Sequence, residues 1–135
     1  MTYRYYMTTN RAYLDCMARL PLQEQRKFLE SQGVQDVIKS YKQIDFVKAG
    51  VALEVQFGKY AFVAYDLFVK HLLFYSGGLI NLGIEVLPMK AMTQSADGGR
   101  LMSTGIAYYE GEVYNVMRHG RGNPPVPLLI LGVGP

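Results

Sequence analysis

Asp45, Glu54 and Gln56 are the residues of this chain whose types and spacing could hold a metal ion and act on water. They lie in the run Gln43-Ile44-Asp45-Phe46-Val47-Lys48-Ala49-Gly50-Val51-Ala52-Leu53-Glu54-Val55-Gln56. Alternating residues on both sides of a small Ala-Gly turn spell two strands and a tight hairpin. With Ala49-Gly50 as the loop, Lys48 faces Val51 and Asp45 faces Glu54. Side chains directly opposite carry Cβ atoms roughly 4.5–5.5 Å apart, where like charges destabilise. A divalent cation between the two carboxylates relieves that repulsion, and hard cations such as Mg²⁺ take carboxylate oxygens. Gln56 shares the face of Glu54, two residues along the strand. Its amide carries no charge but orients water by hydrogen bonding. The same acids also read as a solvated sheet face, paired weakly with Lys48 and Lys59. The alternation assigns Ile44, Phe46, Leu53, Val55 and Phe57 to the core and Gln43, Asp45, Glu54 and Gln56 to the opposite face.

Helices and further strands must position this hairpin. The first ten residues read as irregular. Asn10 caps a helix over about 11 to 19, with Leu14 and Met17 inward. Pro21 restarts a second helix that runs to about Ser31 and stops at Gly33. Tyr60 to Tyr75 offers the apolar face of a helix through Phe62, Val63, Leu67, Leu73 and Phe74, and Gly77-Gly78 ends it. Leu82 to Leu87 is a buried strand. Met92 to Leu101 is a loop. Ser103 or Thr104 caps a helix reaching about Met117, and Arg118 to Pro125 forms another loop. Val126 to Val133 is a buried strand. The order predicts an α/β domain with a mixed central sheet flanked by helices.

The chain has 135 residues, one domain's worth, and half of them are hydrophobic. That composition excludes disorder. A net charge of +3 is compatible with nucleic acid without requiring it. Lys39, Lys42, Lys48 and Lys59 lie close in sequence to the acids, as phosphate positioning needs; singly, each reads as a solvated surface lysine. Cys16, the single cysteine, excludes an internal disulfide and a paired zinc motif and reads as a partly buried thiol. No secretory signal is visible, and the most apolar stretch, Ala61 to Tyr75, is too short to span a bilayer. A cytoplasmic protein is the default expectation. His71 reads as packed or surface and His119 as a loop residue.

Asp45, then Glu54-Val55-Gln56, then Phe57-Gly58-Lys59-Tyr60 resembles the PD-(D/E)xK nuclease superfamily, and within it the BglII-like type II restriction endonucleases. Their last motif position is Gln, as Gln56 is here, where most of the superfamily has Lys. Gly83 to Lys90 resembles the next core strand. Met102 to Glu110, with Tyr108-Tyr109-Glu110, resembles the start of the following helix, and Val126 to Val133 the last core strand. The likeness covers about residues 43 to 133. It implies a restriction-endonuclease-like core with one further strand near the N-terminal end, to which residues 34 to 38 could contribute. The group carries extra helices before the core and segments after it, so a minimal or truncated core is expected here.

The resemblance implies a Mg²⁺-dependent endonuclease acting on double-stranded DNA. Asp45 and Glu54 would hold the metal with the backbone carbonyl of Val55, and Gln56 would complete the catalytic set. Lys59, Arg100, Ser103 and Thr104 would face DNA, Lys59 and Arg100 being candidates for guanine contacts. Glu30 is a further site candidate or a helix-surface charge. A palindromic site, with a GATC centre as in several relatives, calls for a homodimer. A DNA methyltransferase would be its functional partner. A DNA-binding module without catalysis and a repair nuclease are the alternative readings.

Overall fold

The computed structural model describes residues 1–58, 63–93, 99, 106–119 and 126–135, with only the backbone at 64, 67 and 119. The chain opens with a strand where irregular structure was expected: β1 (Thr2–Tyr6) pairs antiparallel with β2 (Lys39–Gln43). Alternation hid β1, because Tyr3, Tyr5 and Tyr6 are aromatic on both faces. The further strand suggested at 34 to 38 falls at β2 instead and forms a separate two-stranded sheet. Between them stand α1 (Arg11–Met17) and α2 (Leu22–Ser31). The Asn10 side chain caps α1 by accepting from Ala12 N. After α2, Gly33 takes φ +76° while Val34 N donates to Leu29 O, closing the helix. Cys16 on α1 is exposed rather than partly buried.

The central sheet runs β3 (Phe46–Lys48), β4 (Val51–Val55), β5 (Leu82–Pro88), β6 (Leu128–Val133). The β3–β4 pair is antiparallel; β4–β5 and β5–β6 are parallel. Ala49 and Gly50 turn the hairpin with φ +49° and +77°, the two positive values that a two-residue loop with the sheet's own twist needs. Lys48 therefore pairs with Val51, as the spacing predicts. Parallel neighbours need crossovers, and helices provide them. The first is α3 (Val63–Tyr65), a π-helical segment (Asp66–His71) and α4 (Leu72–Ser76); the second includes α5 (Tyr109–His119). The mixed sheet with its helices is the α/β architecture the sequence indicates. The helix expected from Ser103 or Thr104 starts only at Tyr109, since Ile106 to Tyr108 are not helical.

The crossover helices cover one face of the central sheet. Phe74 packs with Ile44, Ala52 and Ile80 in one cluster, and Val63 packs with Leu87 in another, joined there by Tyr109, Val116, Leu128 and Ile130. Ala52 and Glu54 of β4 and Gly83, Glu85 and Leu87 of β5 point into this layer. The core-face assignment made from alternation is thus overturned in part. Ile44 is buried, but Phe46 is 63% and Val55 39% exposed, and Glu54 is on the covered side. Alternation sorts residues into two faces without saying which one helices will cover. β6 likewise leaves Leu129, Leu131 and Val133 exposed, contrary to a fully buried strand. No helix among the described residues is long and apolar enough to cross a membrane.

Candidate functional site

Between the two apolar clusters, the covered face carries a band of charge. Glu54 and Glu85 are register partners on β4 and β5, and both are buried. Burial without compensation is costly for a carboxylate, and the facing π-helical segment supplies partners. Lys70 Nζ lies 2.7 Å from Glu54 Oε1 and 2.7 Å from Asp66 Oδ1. His71 Nε2 lies 2.9 Å from Glu85 Oε1. In an α-helix residues four apart share a face and residues five apart do not. The wider i→i+5 turn of a π-helix brings the fifth residue back over the first. Asp66, Lys70 and His71 therefore all look onto the sheet.

Gly83 makes this arrangement possible. A Cβ there would stand 2.7 Å from His71 Nδ1. Gly83→Ala is expected to destabilise the fold by about 1–3 kcal/mol through overpacking, read as a lower urea midpoint; an unchanged midpoint would contradict the packing.

The sequence-selected residues gather at the open end of the hairpin. Asp45 immediately precedes β3, is exposed, and accepts from Val55 N at 3.0 Å through Oδ2. The β3–β4 ladder ends at Phe46 and Leu53, so Asp45 closes the strand end beside Glu54 instead of forming a further ladder pair. Burial raises the Glu54 carboxyl above its usual range; Lys70 opposes this, and the charges of Asp45 and Asp66 add to it. Gln56 donates through Nε2 to Asp66 Oδ2, which ties it to the same cluster. Glu54, Lys70, Asp66 and Gln56 thus form one connected polar group, and the charge of Asp45, felt by Glu54, gives the site an acidic excess.

Other candidates lie elsewhere or outside the described residues. Lys59, Arg100, Ser103 and Thr104 are all outside them. Glu30 spends its charge on Arg26 in an exposed ion pair at 2.7 Å, the helix-surface reading of that residue. Lys42 stands over the Tyr65 ring at 5.4 Å, while Lys39 and Lys48 are exposed. Sequence reasoning missed Asp66, Lys70 and Glu85. The Asp66/Lys70 spacing of four was a visible helix-pair signal, and a lone acid inside the apolar strand Leu82–Pro88 was another. His71 is packed, one of the two settings the sequence allowed, and fully buried. Nothing in the sequence announced the π turn that aims it.

Among the described residues no three His, Cys, Asp or Glu side chains are grouped to hold a metal. Two carboxylates are nonetheless a sufficient donor set for Mg²⁺, which keeps several waters and completes its shell with substrate phosphate.

A family model of the restriction endonuclease BglII/BglIII family matches residues 10–133. The chain belongs to this family. A comparison with curated proteins found no match. Membership makes the chain a site-specific deoxyribonuclease of type II, a hydrolase that binds DNA. Restriction endonucleases of this kind generally use a divalent metal. The match includes the hairpin, the π-helical crossover and β5 and β6, so every residue of the charged band falls inside the family region.

Proposed function

We propose that residues 1–135 form one Mg²⁺-dependent nuclease domain that hydrolyses phosphodiester bonds at a palindromic double-stranded DNA site. Asp45 and Glu54 hold the metal with the Val55 backbone carbonyl, and Gln56 positions the attacking water. The observation that carries this reading is the meeting of exposed Asp45 with buried Glu54 at one strand end, within the family-matched region. The metal, when bound, supplies Lewis acidity and lowers the pKa of its water. The chain's residues do the rest. Val55 N–H fixes one oxygen of Asp45, Oδ2, at the strand end. Asp66 holds the Gln56 amide nitrogen, leaving the Gln56 carbonyl as an acceptor that aligns a water proton. Lys59, Arg100, Ser103 and Thr104 face DNA, the first two reaching guanine edges. A GATC-centred site, a homodimer matching the palindrome, a cytoplasmic setting and a companion methyltransferase complete the proposal.

Metal removal tests it. Plasmid cleavage in Mg²⁺ is expected to stop with EDTA and return with added Mg²⁺. Asp45→Ala is expected to bind Ca²⁺ at least about tenfold more weakly by calorimetry, since one of two carboxylate ligands is gone. Cleavage indifferent to EDTA, or an Asp45→Ala protein that nicks plasmid as fast as the native chain, would sink the reading.

A further inference from the structure

Gln56 leaves the end of β4 without a cation, yet the site contains one. Lys70 reaches it from the opposite layer, with Nζ at 2.7 Å from both Glu54 and Asp66 and its side chain 17% exposed. Asp66 joins Lys70 to Gln56, so the amide on the strand and the ammonium on the helix grip opposite oxygens of one carboxylate. Lys42, another cation among the described residues, is turned to the Tyr65 ring. We propose that Lys70 is a catalytic residue: its ammonium neutralises the scissile phosphate beside Glu54, a charge that the strand position Gln56 cannot supply. The proposal rests on the metal-site reading above.

Three physical points favour this role over a purely structural ion pair. A buried pair contributes little net stability against an apolar replacement, so stability alone gives weak grounds for placing three charges here. The cluster holds two carboxylates around one ammonium, with Asp45 adjacent, so it retains net negative charge on which a further cation settles. Finally, π-helical turns recur at functional sites, and this one places Asp66 and Lys70 over the strand end that carries Glu54.

The test moves the cation from helix to strand. Lys70→Met is expected to lower kcat at least about a hundredfold, as removal of an electrostatic stabiliser does, with KM for duplex DNA within about threefold of native. Without DNA, Lys70→Met should bind Ca²⁺ about tenfold more tightly, because the ammonium no longer competes for Glu54. Gln56→Lys in the Lys70→Met background restores a cation beside Asp66 and is expected to recover at least about tenfold of the lost kcat. If Lys70→Met does not fold, Lys70→Gln carries the same test, with kcat again expected to fall at least about a hundredfold. Native-like kcat in Lys70→Met, or unchanged or weaker Ca²⁺ binding, would each overturn the role of Lys70. A native chain that does not cut DNA in Mg²⁺ sinks the metal-site reading itself, and this inference with it.

Discussion

Glu54→Gln is expected to lower DNA cleavage at least about a thousandfold, the scale of losing a principal electrostatic contact to the transition state, while leaving thermal stability unchanged or higher. The two effects have one cause. Glu54 is 2% exposed, and its charge is held there against desolvation and against Asp45 and Asp66. Glutamine keeps the shape and the acceptor that Lys70 Nζ contacts, and Lys70 keeps its other partner, Asp66. The neutral side chain escapes the cost of a buried charge. It cannot give a hard cation the anionic oxygen that carboxylate gives. A protein arranged only for stability would lose stability on this change; one arranged for chemistry loses activity alone. Single-turnover cleavage of plasmid beside a thermal melt separates these outcomes. Activity within about threefold of native would remove Glu54 from the catalytic set.

What the sequence revealed of this site was the strand, and what it concealed was the helix. Ala49-Gly50 fixed the hairpin register through backbone sterics, so Asp45, Glu54 and Gln56 could be brought together by counting. Asn10, Pro21 and Gly33 marked the ends of α1 and α2 because caps and breakers act locally. Which face Glu54 points to could not be counted. It depends on where Phe74 and Val63 dock, a tertiary fact. A buried Glu on a strand violates the ordinary apolar-inside pattern, and only the distant Lys70 makes it tolerable. The same limit applied to β1, whose partner β2 lies over thirty residues away. The π turn at Asp66–His71 was the least legible feature, since no local residue type specifies an i→i+5 turn. Without it, Lys70 and His71 could not serve adjacent strands together.

Adjacent strands also set the pH behaviour of the fold. Burial pushes the Glu85 carboxyl from 4.5 up to about 7, with His71 pulling the other way. A carboxyl whose pKa rises on folding binds its proton more tightly in the native state. Its stabilising contribution is therefore complete below about 4.5 and is lost as pH climbs through about 7. The span corresponds to about 3 kcal/mol. Glu85 Oε2 and His71 Nδ1, each buried with no partner among the described residues, show why ionisation is resisted there. Glu85→Gln keeps an acceptor for His71 and removes the titration. Urea unfolding from pH 5 to 8.5 is expected to show the variant gaining on the native chain up to about pH 7 and holding that gain, about 2 kcal/mol, above it. Glu54 and Glu112 also carry raised values, but both proteins contain them, so the difference between the two curves isolates Glu85. His71→Leu should act in the opposite sense. It leaves Glu85 buried without its partner, and its cost, up to about 3–5 kcal/mol, should be largest above pH 7, where the native chain holds Glu85 ionised, and smallest below pH 5, where protonation relieves the charge. A difference curve flat across that range would show that Glu85 does not titrate on folding.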